Sequence, residues 1–298
     1  MSVLILNKEK GISSFNALRE TQKELSFKKA GHAGTLDPMA TGVLPIFFEG
    51  YTRLINQISD DKKEYIADFI LGISSNTQDI TGQLTFHPVS NEPKITEIKK
   101  AITRFVGKNF QIVPEFSAKK IKGTPMYKLA RKGKETKKIE QEINIYEIEL
   151  LDYDFPKFKI RVLCSKGTYV RTLGVDIAKS LNTYAAMSEL NRTKFGSLSL
   201  KDSVTLSKLK NLDNHKKMQY VKRIEEILIN VPKVKIKSSE VKKFQNGSQV
   251  EGQKIKNIGK CLVFHEDNFL GLGEIDKTYK IKPKKVLSNR RKNKNELN

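Results

Sequence analysis

Among the side chains of this sequence that could do chemistry, one acid stands apart. Asp37 lies in the stretch Gly-His-Ala-Gly-Thr-Leu-Asp-Pro-Met-Ala-Thr-Gly-Val-Leu-Pro at positions 31–45. Its glycines and prolines fit neither a regular strand nor an amphipathic helix. Gly31, Gly34 and Gly42 allow positive φ or close backbone approach, so a shaped loop could hold one carboxylate facing a partner. The residue types leave a plainer alternative open, in which Asp37 is a helix N-cap and Pro38 the first helical residue. His32 shares the loop, whereas His87, His215 and His265 are scattered and read as ordinary. No His, Cys and carboxylate cluster has metal-ligand spacing, and no phosphate-cradling glycine motif occurs, so neither a metal nor a cofactor is expected. Cys164 and Cys261 are far apart and read as small core hydrophobes.

Charge indicates what such a site would meet. The 298 residues carry 55 Lys and Arg against 33 Asp and Glu, a net charge of +22. Nucleic acid is the natural partner for that surface, with anionic lipid disfavoured because no basic amphipathic helix stands out. No apolar run is long enough to span a bilayer. Val3-Leu4-Ile5-Leu6 is too short for a signal-peptide core and reads as a first strand, so no membrane association and a cytoplasmic location are expected.

The elements that must position the loop follow from pattern. A strand is expected over residues 2–7, then a helix capped by Ser13 or Ser14 and running to about Leu25. Residues 42–48 read as a buried apolar segment, with partial helix to Ser59, and residues 64–72 as a strand opened by Tyr65. The turn from Ser74 to Gly82 is rich in acceptor side chains and fits either a functional loop or a solvated turn. Thr96 is the expected cap of a helix ending at Gly107. From Gln111 to Gly133 the chain is basic and irregular, with Phe116 and Tyr127 among the cations, suiting an RNA contact surface or a solvated arm. Residues 144–154 and 157–164 form an expected antiparallel pair, leading through a Ser-Lys-Gly-Thr turn to Tyr169 and Arg171 at the start of a helix to about Leu181. A helix N-terminus is an unfavourable place for an unpaired cation, so Arg171 is either a surface charge or the partner of an acid such as Asp37. Helical patterns continue to about Asn230, and short alternating runs at 259–264 and 269–275 suggest a small β module. Residues 288–298 have the composition of a basic, disordered tail.

Several of these stretches together resemble the TruB family of tRNA pseudouridine synthases. The likeness runs in family order through Lys8-x-x-Gly11-x-Ser13-Ser14, residues 31–45, Tyr65 and its strand, Gly72 through Gly82, Gln111 through Gly133, and Cys164 through Leu173. It implies an α+β pseudouridine synthase fold with a mostly antiparallel mixed sheet over residues 1–230, carrying a basic RNA-contacting insertion at about 111–133. A small β-barrel-like, PUA-like RNA-binding module over 231–287 would follow. The implied activity is isomerisation of uridine to pseudouridine at position 55 in the tRNA T-loop, by base flipping and a catalytic aspartate, with no cofactor. Carried over residue by residue, Asp37 is the essential aspartate, Tyr65 stacks on the target base and helps with its protons, and Arg171 pairs with Asp37 and holds it ionised. His32 contacts extruded nucleotides, Tyr169 and Leu190 match pocket positions, and Lys8, Gly34 and Pro38 support the loop. The tRNA T-arm is then the partner, without a guide RNA, and the protein is expected to be a monomer. Departures from the family pattern fall at Asn76, Val113 and Phe116, and at Asn191-Arg192, where paired arginines are usual, so that one phosphate contact is either missing or supplied by another lysine. A tRNA-binding or tRNA-folding protein with incidental or lost catalysis is the alternative.

Overall fold

The computed structural model describes residues 2–58, 62–121, 123–133, 138–252 and 258–287, so the expected basic tail lies outside the described residues. A large mixed sheet organises the chain. Its central order is Val204–Thr205, Val3–Lys8, Thr41–Phe48, Ala185–Phe195, Lys63–Leu71, Lys157–Cys164, Glu140–Asp154 and Gly107–Ile112. Most neighbours are antiparallel, but the Ala185–Phe195 strand meets Thr41–Phe48 in parallel at Asn191 and Arg192. That contact joins the segment carrying Asp37 to the rest of the sheet.

The first strand shows how sequence becomes layering. Alternate residues of a strand point to opposite faces. Leu4 and Leu6 enter a core under the helices, with Ala17, Leu18, Leu173 and Ile177. Val3 and Ile5 enter a second core on the opposite face, with Val43, Phe47, Phe195, Ile224 and Ile227. Because both faces are covered, the run is continuously apolar rather than alternating with polar residues.

The cover on that second face is the C-terminal module, a curled five-stranded sheet in the order Lys233–Lys235, Gly259–His265, Asn268–Ile275, Lys280–Val286 and Val250–Glu251. One side packs on Phe244, Val250, Cys261 and Ile281. The other contributes Leu262, Phe264 and Leu272 to the core shared with the large sheet. A hydrogen bond from Lys260 Nζ to the Gln57 carbonyl, 2.9 Å, ties the two at the rim.

Several local expectations need correction. The helix expected to begin at Thr96 spans Ile95–Thr103, because the Glu97 carboxylate reaches back 2.7 Å to the Lys94 backbone N–H and caps the turn from inside. The strand expected from residue 144 begins at Glu140, since Gly107–Ile112 supplies an edge partner for its first half. No helix follows Pro38. The Ala40 N–H donates to the Asp37 carbonyl at 3.0 Å, closing a four-residue turn, and Thr41 then enters a strand, so the N-cap alternative for Asp37 falls. Among the described residues, no helix is long and apolar enough to cross a membrane.

Candidate active site

The loop that carries Asp37 is tied down on both sides. Gly34 has φ of 65°, and a Cβ there would lie 2.7 Å from a ring carbon of Phe195. Gly42 has φ of 108°, and a Cβ there would lie 2.3 Å from the Arg192 carbonyl. Both positions therefore exclude side chains, by conformation and by space. Between them Ser14 grips Leu36, its hydroxyl donating to the Leu36 carbonyl and accepting from the Leu36 N–H, each at 2.8 Å. Ser13 serves as the helix cap, accepting from Asn16 at 3.1 Å, so the two serines have separate tasks. Lys8 braces the turn from below. Its fully buried ammonium donates to the carbonyls of Ile12 at 2.7 Å, Glu9 at 2.9 Å and Pro38 at 3.2 Å. Burial lowers the Lys8 pKa to about 8, against the attraction of Asp37.

Opposite the loop, the helix Val170–Ser180 presents Arg171 in its first turn. Its Nε lies 2.9 Å from Asp37 Oδ2, and the guanidinium is only 5% exposed. The remaining nitrogens donate to the Thr77 carbonyl at 2.6 Å and the Phe116 carbonyl at 2.9 Å. One arginine thus binds the aspartate loop, the Ser74–Gly82 turn and the basic 111–133 segment together. The helix start is itself fixed by the Gln111 side chain, which accepts from the Tyr169 N–H at 3.0 Å and donates to the Tyr169 carbonyl at 3.2 Å.

The Ser74–Gly82 turn holds a second acid that the sequence reading overlooked. Asp79 is 4% exposed and lies 3.7 Å from the Arg171 guanidinium. Its Oδ1 accepts from the Thr77 hydroxyl at 2.8 Å, the Thr81 N–H at 2.9 Å and the Thr81 hydroxyl at 2.5 Å. A Thr-x-Asp-x-Thr pattern is self-capping and available from sequence, but its burial beside Arg171 depends on the helix brought in from ninety residues away. Asn76 has a turn-closing role, its side-chain oxygen accepting from the Gln83 N–H at 2.9 Å.

Arg171, Asp37 and Asp79 therefore form one cation between two carboxylates. Burial pushes the Asp37 carboxyl above its ordinary value of 3.8, Arg171 and Lys8 pull it down, and Asp79 pushes it up. Arg171 moderates the cost of ionisation here without reversing it, which modifies the expectation that the pair alone keeps Asp37 charged. Among the described residues Oδ1 of Asp37 has no partner, and the residue lines a cavity of about 820 Å³.

His32, Pro38 and Arg171 line the same cavity, together with Phe15, Asp79, Phe116, Lys120, Tyr127 and Arg131. The His32 Nδ1 is buried without a partner, and burial beside Arg192 lowers its pKa, so the ring is neutral at physiological pH. The 111–133 segment is folded against the cleft, with Met126 buried and Phe116 bonded to Arg171, so it is no free arm. Three expected pocket residues do not reach the wall. Tyr65 is 7% exposed and Leu190 8%, both in the core beneath the cleft, and Tyr169 is half-buried at the helix start. Arg192 is 1% exposed and is out of reach of any phosphate.

A mixed sheet thus carries a recessed carboxylate with an arginine across from it, and a small curled sheet is docked behind. Solved structures of pseudouridine synthase complexes share this fold. A Cbf5-Nop10-Gar1 complex matches with a TM-score of 0.72 at 25% identity, covering 97% of this chain and 85% of that one. An H/ACA RNP bound to a substrate RNA containing 2′-deoxyuridine matches with a TM-score of 0.71 at 23% identity, covering 97% and 86%. In sequence, residues 22–170 match the model of the TruB family pseudouridylate synthase N-terminal domain. Residues 171–229 match the tRNA pseudouridylate synthase B C-terminal domain, and 232–287 the pseudouridine synthase II TruB C-terminal model. A tRNA pseudouridine synthase B of Francisella tularensis subsp. novicida is 36% identical over 281 residues, covering 92% of this chain and 91% of that protein. One from Clostridium tetani is 37% identical over 276 residues, covering 91% and 94%. The chain belongs to the TruB family of tRNA pseudouridine synthases.

Proposed function

We propose that this enzyme acts on the T-loop of tRNA, at the uridine of position 55, with Asp37 as its catalytic carboxylate. The supporting observation is the 2.9 Å Asp37–Arg171 pair in the wall of a cavity large enough to admit more than one nucleotide. The reaction breaks the N1–C1′ bond of uridine and joins C5 to C1′; the proton lost from C5 balances the one gained at N1, so no atom enters or leaves. A carboxylate near C1′ can attack as nucleophile or stabilise the developing positive charge. One oxygen held by Arg171 and the other unpartnered is the arrangement that either role requires. The target base is stacked inside the folded T-loop, so it must be flipped out at a cost of a few kcal/mol. Neutral His32, with its free Nδ1, is suited to hydrogen-bonding an extruded nucleotide, and Lys120, Tyr127 and Arg131 to holding the neighbouring backbone and bases. Tyr65, Tyr169 and Leu190 serve this reading as the floor of the pocket, which the flipped base meets once the cleft opens around it.

The protein works alone in this reading, as a monomer without a guide RNA, because its own cleft supplies both the basic walls and the carboxylate. Incubating an unmodified tRNA transcript with the purified protein and mapping pseudouridine by position tests reaction, substrate and site together. Product at position 55 is expected, and Asp37→Asn should abolish it while leaving tRNA binding in place. Product in the anticodon stem instead of the T-loop overturns the substrate assignment, and an active Asp37→Asn variant overturns the aspartate.

A further inference from the structure

Among the described residues Arg192 is the largest fully buried side chain, and no carboxylate pairs with it. A buried cation without a counter-ion is costly, so its contacts must be specific. Its Nε donates to the Val43 carbonyl at 2.8 Å and a terminal nitrogen donates to the Gly34 carbonyl at 2.7 Å. Those carbonyls stand on either side of Asp37, at the entry and exit of its loop. The guanidinium carbon lies 5.2 Å from the centre of the Phe195 ring, the same ring that leaves no room for a side chain at Gly34. Across the strand pair Arg192 sits directly opposite Tyr65, and its charge bears on the Tyr65 phenol.

We propose that Arg192 is a positioning residue of the reaction: it clamps both ends of the Asp37 loop and holds its charge beside the Tyr65 phenol across the strand pair. A guanidinium carries its donors in a rigid fork, so one side chain can hold the Val43 and Gly34 carbonyls at once. The charge also acts on the ionisation of Tyr65, which burial raises and Arg192 lowers. The inference rests on the reading that Asp37 and Tyr65 serve uridine isomerisation, and it gives the buried charge a task that core packing alone would not need.

Arg192→Gln keeps a donor but removes the charge, and Arg192→Lys keeps the charge but loses the fork. Both are to be compared with wild type in thermal melts, in T-arm RNA binding and in single-turnover pseudouridine formation. Folded variants should bind RNA within about threefold of wild type and react on the order of 100-fold more slowly, the scale of loss from a small misplacement of reacting groups. A second readout needs no catalysis. In protein labelled with 13C at the tyrosine ring carbon bearing oxygen, the Tyr65 resonance, assigned by its absence in Tyr65→Phe, should titrate at higher pH in Arg192→Gln than in wild type. A folded variant that reacts within about threefold of wild type would overturn the positioning role, as would a Tyr65 resonance unmoved by Arg192→Gln. Collapse of both variants would also overturn it, leaving Arg192 a structural prop. An inactive wild-type protein on T-arm RNA would instead strike the underlying reading, and the Tyr65 titration would still decide whether Arg192 acts on that phenol.

Discussion

Lys8 offers the most quantitative test of how the aspartate loop is held. Its ammonium is fully buried under three carbonyls, one of them that of Pro38, directly after Asp37, and burial takes its pKa from 10.5 down to about 8. The folded protein therefore releases this proton well before the unfolded chain does. Between about pH 8 and pH 10.5 the unfolded state binds more protons, so the Lys8 contribution makes stability rise with pH across that window. A shift of this size corresponds to about 3 kcal/mol over the full window, of which about 2 kcal/mol falls between about pH 7.5 and pH 9.5. Lys8→Met removes the titrating group and leaves three carbonyls without their donor, so it is less stable throughout; only the change in the gap with pH tests the titration. Urea unfolding of both proteins across that range should show the gap widening by about 2 kcal/mol in favour of wild type as pH rises. The Cys164 and Cys261 thiols, each pushed up to about 11 by burial, stay protonated in that range and are common to both proteins. A gap that stays constant, or narrows, would refute the view that Lys8 is a buried ammonium held at a cost for the sake of the loop.

Three further outcomes follow from the site. Removing the charge of Asp79 in Asp79→Asn should lower the pKa of Asp37, so the acid limb of the single-turnover rate profile moves to lower pH; a shift to higher pH would contradict the arrangement of one cation between two carboxylates. Ser14→Ala strips both hydrogen bonds from the buried backbone of Leu36 and should cost about 2–3 kcal/mol of stability in urea unfolding, with a slower chemical step and little change in tRNA affinity. Gly42→Ala would drive a Cβ to 2.3 Å from the Arg192 carbonyl in a backbone conformation hostile to side chains, and should fail to give folded protein in circular dichroism and melting experiments.

Much of the fold was legible in local pattern. Val3–Lys8, Lys63–Leu71 and Lys157–Cys164 fall within a residue of their expected limits because each is an apolar or alternating run bounded by turn residues. The Thr96 cap misled because Thr competes with a glutamate one residue further on, and the glutamate reaches the backbone first. The loop at 31–45 was ambiguous for a physical reason: Asp-Pro has the same types at the start of a helix and at the corner of a turn. The parallel contact of Thr41 and Gly42 with Asn191 and Arg192 decides between them, by drawing the chain into a strand three residues after Pro38.

The sequence by itself determined the charge that selects an RNA partner, the glycines and prolines that forbid regular structure around Asp37, and the motifs that place the chain in its family. Tertiary structure alone decided which groups act on that carboxylate. Arg171, Asp79 and Lys8 arrive from three different segments, and no spacing along the chain records that they meet. Nor does residue type reveal whether an arginine will face phosphates or lie wholly inside: Arg171 and Arg192 are both buried, one against an acid and the other against two carbonyls and a phenol. The reason is that pKa and reactivity depend on desolvation and on charges a few ångströms away, and both are properties of packing rather than of sequence order.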